Sequence, residues 1–154
     1  MTGPGLHALD SLLNLGPRLN AVTGRINQVR PFPKPIDSVA LLLEFEGGVT
    51  GTLGTVRGVP DFIRLHVLGT RGWAELRDFS TLTSHRLGEA ETQMIHDPRL
   101  NTGEMVECFA QAVMGEAVFP VSTDAMLRTV AAFEASVASL KLGQTVRVAM
   151  GGRP

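Results

Sequence analysis

The amino-acid sequence predicts an α+β fold: a mostly antiparallel (mixed), open-faced β-sheet with helices packed on one face. Two observations lead to this prediction. Segments with strand-like alternation follow one another between residues 39 and 95, joined by glycine turns, and the last third of the chain changes to helical periodicity. Because hairpin-linked strands followed by helices leave one sheet face without a helical cover, that face must be polar or must meet a partner.

The first predicted elements are a helix and a strand. Residues 7–15 are expected to be helical because leucines recur there at helical spacing, and Gly16 and Pro17 end the helix. Residues 20–30 form a predicted strand of mixed polarity. The proline-rich residues 31–35 are expected to be a stiff extended link, since each proline fixes its own φ and biases the preceding residue away from helix.

A β-hairpin is predicted next. Residues 39–45 alternate as a strand, Gly47 and Gly48 can supply the positive φ of a two-residue turn, and residues 49–57 return as the partner strand. Two further glycines in the returning strand indicate a bulge or a close approach by another backbone. These are Gly51 and Gly54.

The rest of the chain supplies more strands and then two helices. An apolar stripe marks the first of these helices, and the second, longer helix is expected to start at an N-cap of Ser122 or Thr123 and to stop at Gly143. A last strand is expected over residues 144–150. The intervening predicted strands cover residues 62–68, 73–77, 81–87 and 91–95, and the first of the two helices covers residues 105–113.

Length and composition bound the possible functions. The 154 residues fit a single domain over residues 1–154. Lysine and arginine number 14 against 15 acidic residues, so no basic field for nucleic acid or a membrane surface is expected. Cys108 is the only cysteine, which favours a reducing, cytoplasmic setting. We expect neither a signal peptide nor a membrane span from the hydropathy pattern.

The segment from Gly3 to Ala8 loosely matches the glycine-rich loop G-x-G-x-x-G/A of dinucleotide-binding domains. That loop works only after a buried parallel strand, which aims a helix N-terminus at the pyrophosphate. Only two residues precede Gly3, and no acidic residue follows at the expected distance. We therefore expect no cofactor site within this sequence.

The same segment resembles the start of a different domain. Gly5-x-His7-x-x-Asp10 opens a leucine-rich helix that leads through a Gly-Pro turn into a strand. This resembles the C-terminal domain of the glucose–fructose oxidoreductase, inositol dehydrogenase and MocA family. Four further pieces follow in the family's order and extend the resemblance over nearly the whole chain: residues 43–52, 65–72, 109–122 and 134–146.

The resemblance implies a fold and an activity. The fold is that of a dihydrodipicolinate-reductase-like C-terminal domain, and the activity is hydride transfer between a sugar-like alcohol and NAD or NADP. The cofactor belongs to an N-terminal Rossmann domain that this sequence lacks. His7 stands where the family's catalytic histidine belongs, and imidazole can take an alcohol proton near neutral pH. The alternative is that His7 only caps or packs the helix.

Four other residues are candidates for substrate contacts, each with an ordinary structural alternative. Asp10 either pairs with His7 across one helical turn or helps the helix to start. The other three lie on the first strand or at its exit and could reach substrate hydroxyls or a carboxylate, or simply be surface residues: Arg25, Gln28 and Arg30.

Two departures from the family's pattern are visible. Gly3 stands where the family commonly has an aspartate, four residues before the histidine. The family's Glu-Lys-Pro lysine lies upstream of the histidine, whereas Lys34 follows it and is preceded by a proline. Lys34 is therefore interpreted as an exposed lysine of the proline-rich link.

The remaining reactive side chains are given structural roles. His66 alternates outward on a strand, while His85 and His96 lie in or beside weaker strands. No pair of histidines has the short spacing of a metal site, so no metal is expected. Cys108 lies beside the apolar helix stripe and is interpreted as a small, partly buried hydrophobe.

Two hypotheses for function follow. In the first, the chain is the substrate-side and oligomer-forming part of an oxidoreductase acting on a CH–OH group, and it is inactive alone. In the second, it is a stand-alone, non-catalytic assembly or sugar-binding module, or a subunit that acts with a separate nucleotide-binding chain. Both predict a dimer or larger homo-oligomer through the open sheet face, because Ala40 and Leu42 are apolar on the side of their strand opposite Leu41 and Leu43.

Overall fold

The computed structural model describes residues 4–27, 38–57, 59–60 and 62–149. In chain order its elements are α1 (Pro4–Leu15), β1 (Leu19–Asn27), β2 (Ser38–Phe45), β3 (Thr50–Val56), β4 (Arg64–Gly69), β5 (Gly72–Arg77), β6 (Thr81–Arg86), β7 (Thr92–Ile95), α2 (Asn101–Val113), α3 (Thr123–Leu142) and β8 (Val146–Arg147). Two short 3-10 helices, Glu46–Gly48 and Pro98–Leu100, complete the set.

All strand pairs are antiparallel, which confirms the predicted α+β class. The strands are divided between two four-stranded sheets rather than joined in one, in the orders β3-β2-β1-β8 and β4-β5-β6-β7. Each sheet lies in its own compact unit: the first unit comprises residues 1–58 and 121–154, and the second residues 59–120. The connection from β3 to β4 includes Pro60, which cannot donate a ladder hydrogen bond, and no described residue pairs these two strands.

The core of the first unit lies on one face of its sheet. Helix α3 packs on β1, and α1 packs on α3 and β3. The alternate residues of β2 that point to this face are all buried, as strand periodicity requires. The buried hydrophobic cluster comprises Leu9, Leu19, Val22, Val39, Leu41, Leu43, Phe45, Leu53, Ala132 and Ala135.

The predicted hairpin is present, with a longer turn than expected. The connection from β2 to β3 is a 3-10 turn, and Gly47 and Gly48 adopt the expected positive φ of 72° and 78°. Phe45 N–H donates to the Val49 carbonyl over 2.8 Å and closes this loop. The register of β2 with β3 runs without a bulge, and a Cβ at Gly51 would lie 3.2 Å from the Phe45 ring. The prediction of a bulge or a close backbone approach was therefore wrong: the neighbour at Gly51 is a side chain, and Gly54 has open space.

Both ends of the last helix follow the sequence prediction. Ser122 is the N-cap, and its hydroxyl accepts from the Ala125 N–H over 3.1 Å. Gly143 ends the helix in the left-handed conformation with a φ of 68°. The strand that follows is shorter than predicted, since only Val146–Arg147 pairs with β1.

A buried serine joins the end of α3 to β1. Ser139 is fully buried; its Oγ accepts from the Gly24 N–H over 2.8 Å and donates to the Gln144 carbonyl over 2.6 Å. A Cβ at Gly24 would lie 2.6 Å from Leu140 Cδ2, so any larger residue there would force the Leu140 side chain to shift. The hydroxyl of Ser139 therefore satisfies a strand N–H and a carbonyl beyond the helix at once.

We expect the Ser139→Ala substitution to lower the free energy of unfolding by about 1–3 kcal/mol, because it leaves the buried Gly24 N–H without its acceptor. Ser136→Ala is the matched control. Ser136 is equally buried, but its hydroxyl only donates to the Ala132 carbonyl of its own helix, over 2.7 Å, so its loss orphans no strand group. Urea denaturation of both variants measures the difference; equal losses would contradict the bridging role of Ser139.

The second unit has little buried apolar surface of its own. Glu75 is the one buried residue among those described between residues 59 and 120. Helix α2 has no buried residue, and its Phe109 ring meets Phe119 edge-on at 5.9 Å. Of the two helices in the last third of the chain, α3 covers the first sheet, whereas α2 belongs to the second unit.

Candidate functional site

The predicted catalytic histidine lies on an open face of α1. His7 occupies the first turns of the helix and its side chain is exposed. Its carbonyl accepts from the Ser11 hydroxyl over 2.9 Å, and no described side chain binds its imidazole. The ring is therefore exposed to solvent in the first unit.

Asp10 lies one helical turn after His7 and joins α1 to α3. Its Oδ1 accepts from the Thr129 hydroxyl over 2.6 Å, and the residue is half-buried. Residues three apart share one face of a helix, so His7 and Asp10 lie side by side. The structure gives Asp10 an anchoring contact with Thr129 in place of an ion pair with His7, and that contact fixes the helix that presents the imidazole.

Arg25 lies on the opposite face of the first sheet. Its neighbour Gly24 faces α3, and successive strand residues point to opposite faces, so Arg25 points away from the helices. Its Nη1 donates to the Gly24 carbonyl over 2.8 Å, and its side chain is exposed. The structure therefore brings His7 and Asp10 together but separates Arg25 from them. The other two substrate candidates, Gln28 and Arg30, lie outside the described residues, as do Gly3 and Lys34.

The second sheet carries an open cavity that the sequence analysis did not assign. Its volume is about 290 Å³, and it lies on one face of β4 and β5. His66, interpreted above as a sheet-face residue, is part of this cavity. The residues that line it are Arg64, His66, Leu68, Trp73, Glu75 and Arg77.

An ion triad forms the floor of this cavity. The Glu75 carboxylate is 8% exposed and binds the Nε atoms of Arg64 and Arg77, the latter at 2.7 Å. The hydrogen bond from Arg64, followed by that from Arg77, holds the pKa of the Glu75 carboxyl below its ordinary value, against the opposing effect of desolvation. Glu75 is therefore ionised at neutral pH and neutralises one of the two guanidiniums.

No metal site is found in the described part of the chain, where no three histidine, cysteine or acidic side chains converge. His96 bonds to Asn101, and Cys108 is a free, half-buried thiol, as its sequence position predicts. The helices described between residues 4 and 149 also include none with the length and apolar character needed to cross a membrane.

The geometry describes an α+β domain whose first helix presents an accessible histidine. The GFO/IDH/MocA C-terminal domain family matches residues 2–75, which confirms the resemblance found in the sequence. A sequence comparison with curated proteins found no match.

Solved structures with the same fold are oxidoreductases about twice as long. One is an aldose-aldose oxidoreductase from Caulobacter crescentus complexed with glycerol (TM-score 0.78, 20% identity, 93% of this chain and 45% of that chain). A levoglucosan dehydrogenase in complex with NADH and levoglucosan is similar (TM-score 0.76, 16% identity, 96% and 50%). So is an NAD binding oxidoreductase from Klebsiella pneumoniae (TM-score 0.76, 18% identity, 94% and 49%). The TM-scores establish the shared fold, and the chain spans about half the length of these structures.

Proposed function

We propose that this chain is the substrate-binding and oligomerisation domain of an NAD(P)-dependent oxidoreductase that acts on the CH–OH group of a sugar or polyol, and that it is inactive alone. The observation that carries the proposal is the exposed His7 imidazole at the family's motif position, on a helix fixed by Asp10 and Thr129. The family match supports the proposal, as do relatives of twice the length that include an aldose-aldose oxidoreductase and a levoglucosan dehydrogenase. The lone thiol of Cys108 supports a cytoplasmic location.

The described residues do not fit a nicotinamide dinucleotide. A pyrophosphate site of this type needs a buried parallel strand, a glycine loop and a helix N-terminus in succession. Both described sheets are antiparallel, and no described helix follows a parallel strand. The cofactor would therefore be held by a nucleotide-binding domain, and this chain would supply the groups around the substrate hydroxyl.

His7 would exchange the proton of that hydroxyl. An imidazole without a partner on the helix surface can accept an alcohol proton and return it, because its two nitrogens serve as donor and acceptor in turn. The hydrogen bond from Thr129 to Asp10 would act indirectly: it would hold α1 against α3, so that the His7 imidazole keeps its position. Asp10 is in this sense a positioning residue, with its second carboxylate oxygen still open to a substrate hydroxyl.

The isolated chain should bind neither NAD nor NADP, for the structural reason given above. Isothermal titration calorimetry with each cofactor is the measurement, and the expected result is no saturable heat up to millimolar cofactor. A protein that joins this chain to its nucleotide-binding domain serves as the positive control and should bind in the micromolar range typical of such enzymes. Micromolar affinity of the chain alone would contradict the proposal that a separate nucleotide-binding domain holds the cofactor.

The exposed face of the first sheet would be the oligomer interface. The residues of β2 that point away from the core are Ala40, Leu42 and Glu44, and Leu42 is 43% exposed. Leu42 lies between Thr23 of β1 and Thr52 of β3. This face mixes apolar and hydroxyl side chains, a composition that suits a protein–protein interface of moderate size.

A further inference from the structure

Two arginines lie directly opposite each other on the second sheet. Antiparallel pairing of β4 with β5 places Arg64 across from Arg77, His66 across from Glu75 and Leu68 across from Trp73, all on one face. Like charges in directly opposite positions destabilise a strand pair. One carboxylate, that of Glu75, lies between them and compensates for one positive charge. The triad therefore retains a net charge of about +1, by simple addition of its ionised groups.

The unused donors of the triad point to an anion. Each guanidinium binds Glu75 through Nε, and no described residue accepts from the terminal nitrogens of Arg64 or Arg77. Their side chains are 47% and 57% exposed, while the carboxylate beneath them is 8% exposed. Terminal guanidinium nitrogens in this arrangement bind carboxylate or phosphate oxygens in pairs, the geometry in which arginine is strongest.

A ring cluster forms the neighbouring wall of the cavity. Trp73 is half-buried between two imidazoles, with the His66 ring edge-on at 5.8 Å and the His85 ring tilted at 6.3 Å. An indole face can pack against the apolar C–H face of a sugar ring, and the imidazoles can exchange hydrogen bonds with its hydroxyl groups. Leu68, which is itself exposed, adds an apolar side chain to the lining. The volume of about 290 Å³ is at the lower end of small-molecule sites.

We propose that this face of the second sheet binds a monosaccharide that carries a carboxylate or a phosphate group. The anionic group would lie on the terminal nitrogens of Arg64 and Arg77, and the sugar ring would lie against Trp73 with its hydroxyls near His66 and His85. This site is independent of the role proposed for His7, so either can fail without the other.

Trp73 is the only tryptophan of the chain, so its fluorescence reports directly on this site. The purified chain is titrated at low ionic strength with four probes: glucuronate, glucose 6-phosphate, glucose and inorganic phosphate. We expect saturable fluorescence changes with glucuronate or glucose 6-phosphate at millimolar concentrations or below. Glucose and inorganic phosphate should each bind roughly tenfold more weakly or worse, since each makes only half of the contacts.

Variants separate binding from folding. Arg77→Gln removes one positive charge and should weaken binding of the sugar anion by roughly tenfold or more, and Arg77→Lys should restore only part of it because an ammonium lacks the planar fork. Arg86→Gln is the matched control, since Arg86 lies on the opposite face of the same sheet and pairs with Glu89 near the surface. Thermal unfolding of each variant shows whether the sheet remains intact.

Three results would overturn the proposal. The first is the absence of a fluorescence change with either sugar anion at about 10 mM, a concentration well above a millimolar dissociation constant. The second is an equal affinity for inorganic phosphate and the sugar anions, which would make the cavity a general anion cleft. The third is a fluorescence change that follows protein concentration rather than ligand, which would mark the face as a contact between copies of the chain.

Discussion

Replacing His7 by alanine in a protein that joins this chain to its nucleotide-binding domain should lower the turnover number by about 10²–10⁴-fold, the usual contribution of a general acid–base group. The affinity for cofactor should stay within a few-fold, because the imidazole lies in a unit that has no dinucleotide site among its described residues. Steady-state kinetics and a cofactor titration measure the two effects separately. His7→Gln, which keeps a polar side chain but cannot exchange the proton, should be nearly as slow.

Ser11→Ala is the matched control for this experiment. Ser11 lies one turn further along the same face of α1, and its hydroxyl donates only to the His7 carbonyl. Its loss leaves the imidazole in place, so turnover should remain near that of the parent. A His7→Ala enzyme with near-full turnover at neutral pH would show that His7 is structural.

Asp10 and Arg25 show where sequence reasoning reached its limit. The spacing of three residues correctly placed His7 and Asp10 on one helix face, because helical periodicity is local. The face occupied by Arg25 depends on the strand, and β1 has an irregularity between Leu19 and Ala21 that shifts the alternation. Ala21 and Val22 are adjacent and both buried, which no pattern of period two predicts.

The ends of the last helix were predictable from the sequence, whereas the pairing of the strands was not. Ser122 and Gly143 were predictable because a cap depends on the chemistry of one or two neighbouring residues. The division of strands into two sheets depends on which edges meet, and sequence alternation does not contain that information. The triad of Arg64, Glu75 and Arg77 lies between these cases. Counting outward from the Gly69 and Gly72 pair gives the register that joins the three side chains, so the turn glycines offered the information needed to find it.

Substitutions on the two faces of the first hairpin should have very different effects. Leu42 and Leu53 are both leucines of the first hairpin, but Leu42 is 43% exposed and Leu53 is 5% exposed. Leu53 pairs across the strands with the buried Leu41 and faces the helices, whereas Leu42 lies opposite Thr52 on the other face. A substitution at each position therefore distinguishes the core from the proposed interface with the same chemical change.

Leu53→Glu should abolish folding, because it places an unpaired carboxylate in the apolar core. The milder Leu53→Ala should remain measurable and should lower the free energy of unfolding by about 2–5 kcal/mol, through lost burial and the cavity left behind. Leu42→Ala should cost less than Leu53→Ala, about 1 kcal/mol or below in a monomer, since the Leu42 side chain is already 43% exposed there. Urea denaturation with circular dichroism measures these differences, and similar losses at both positions would contradict the assignment of the two faces.

Leu42→Glu tests the interface itself. We expect the unsubstituted chain to be a dimer or larger at tens of micromolar, with the face around Leu42 buried between copies, because an exposed face of this kind is commonly covered by two-fold pairing. The substitution adds a carboxylate to a strand face that already carries Glu44, and the proposed interface would bring these charges together between copies. Like charges brought together at a buried contact cost several kcal/mol, so Leu42→Glu should give a folded monomer. Thr52→Ser, on the neighbouring strand of the same face, keeps the hydroxyl and should leave the mass unchanged. Light scattering measures the mass of each variant; a monomeric parent, or a Leu42→Glu variant of unchanged mass, would show that copies of this chain do not meet through this face.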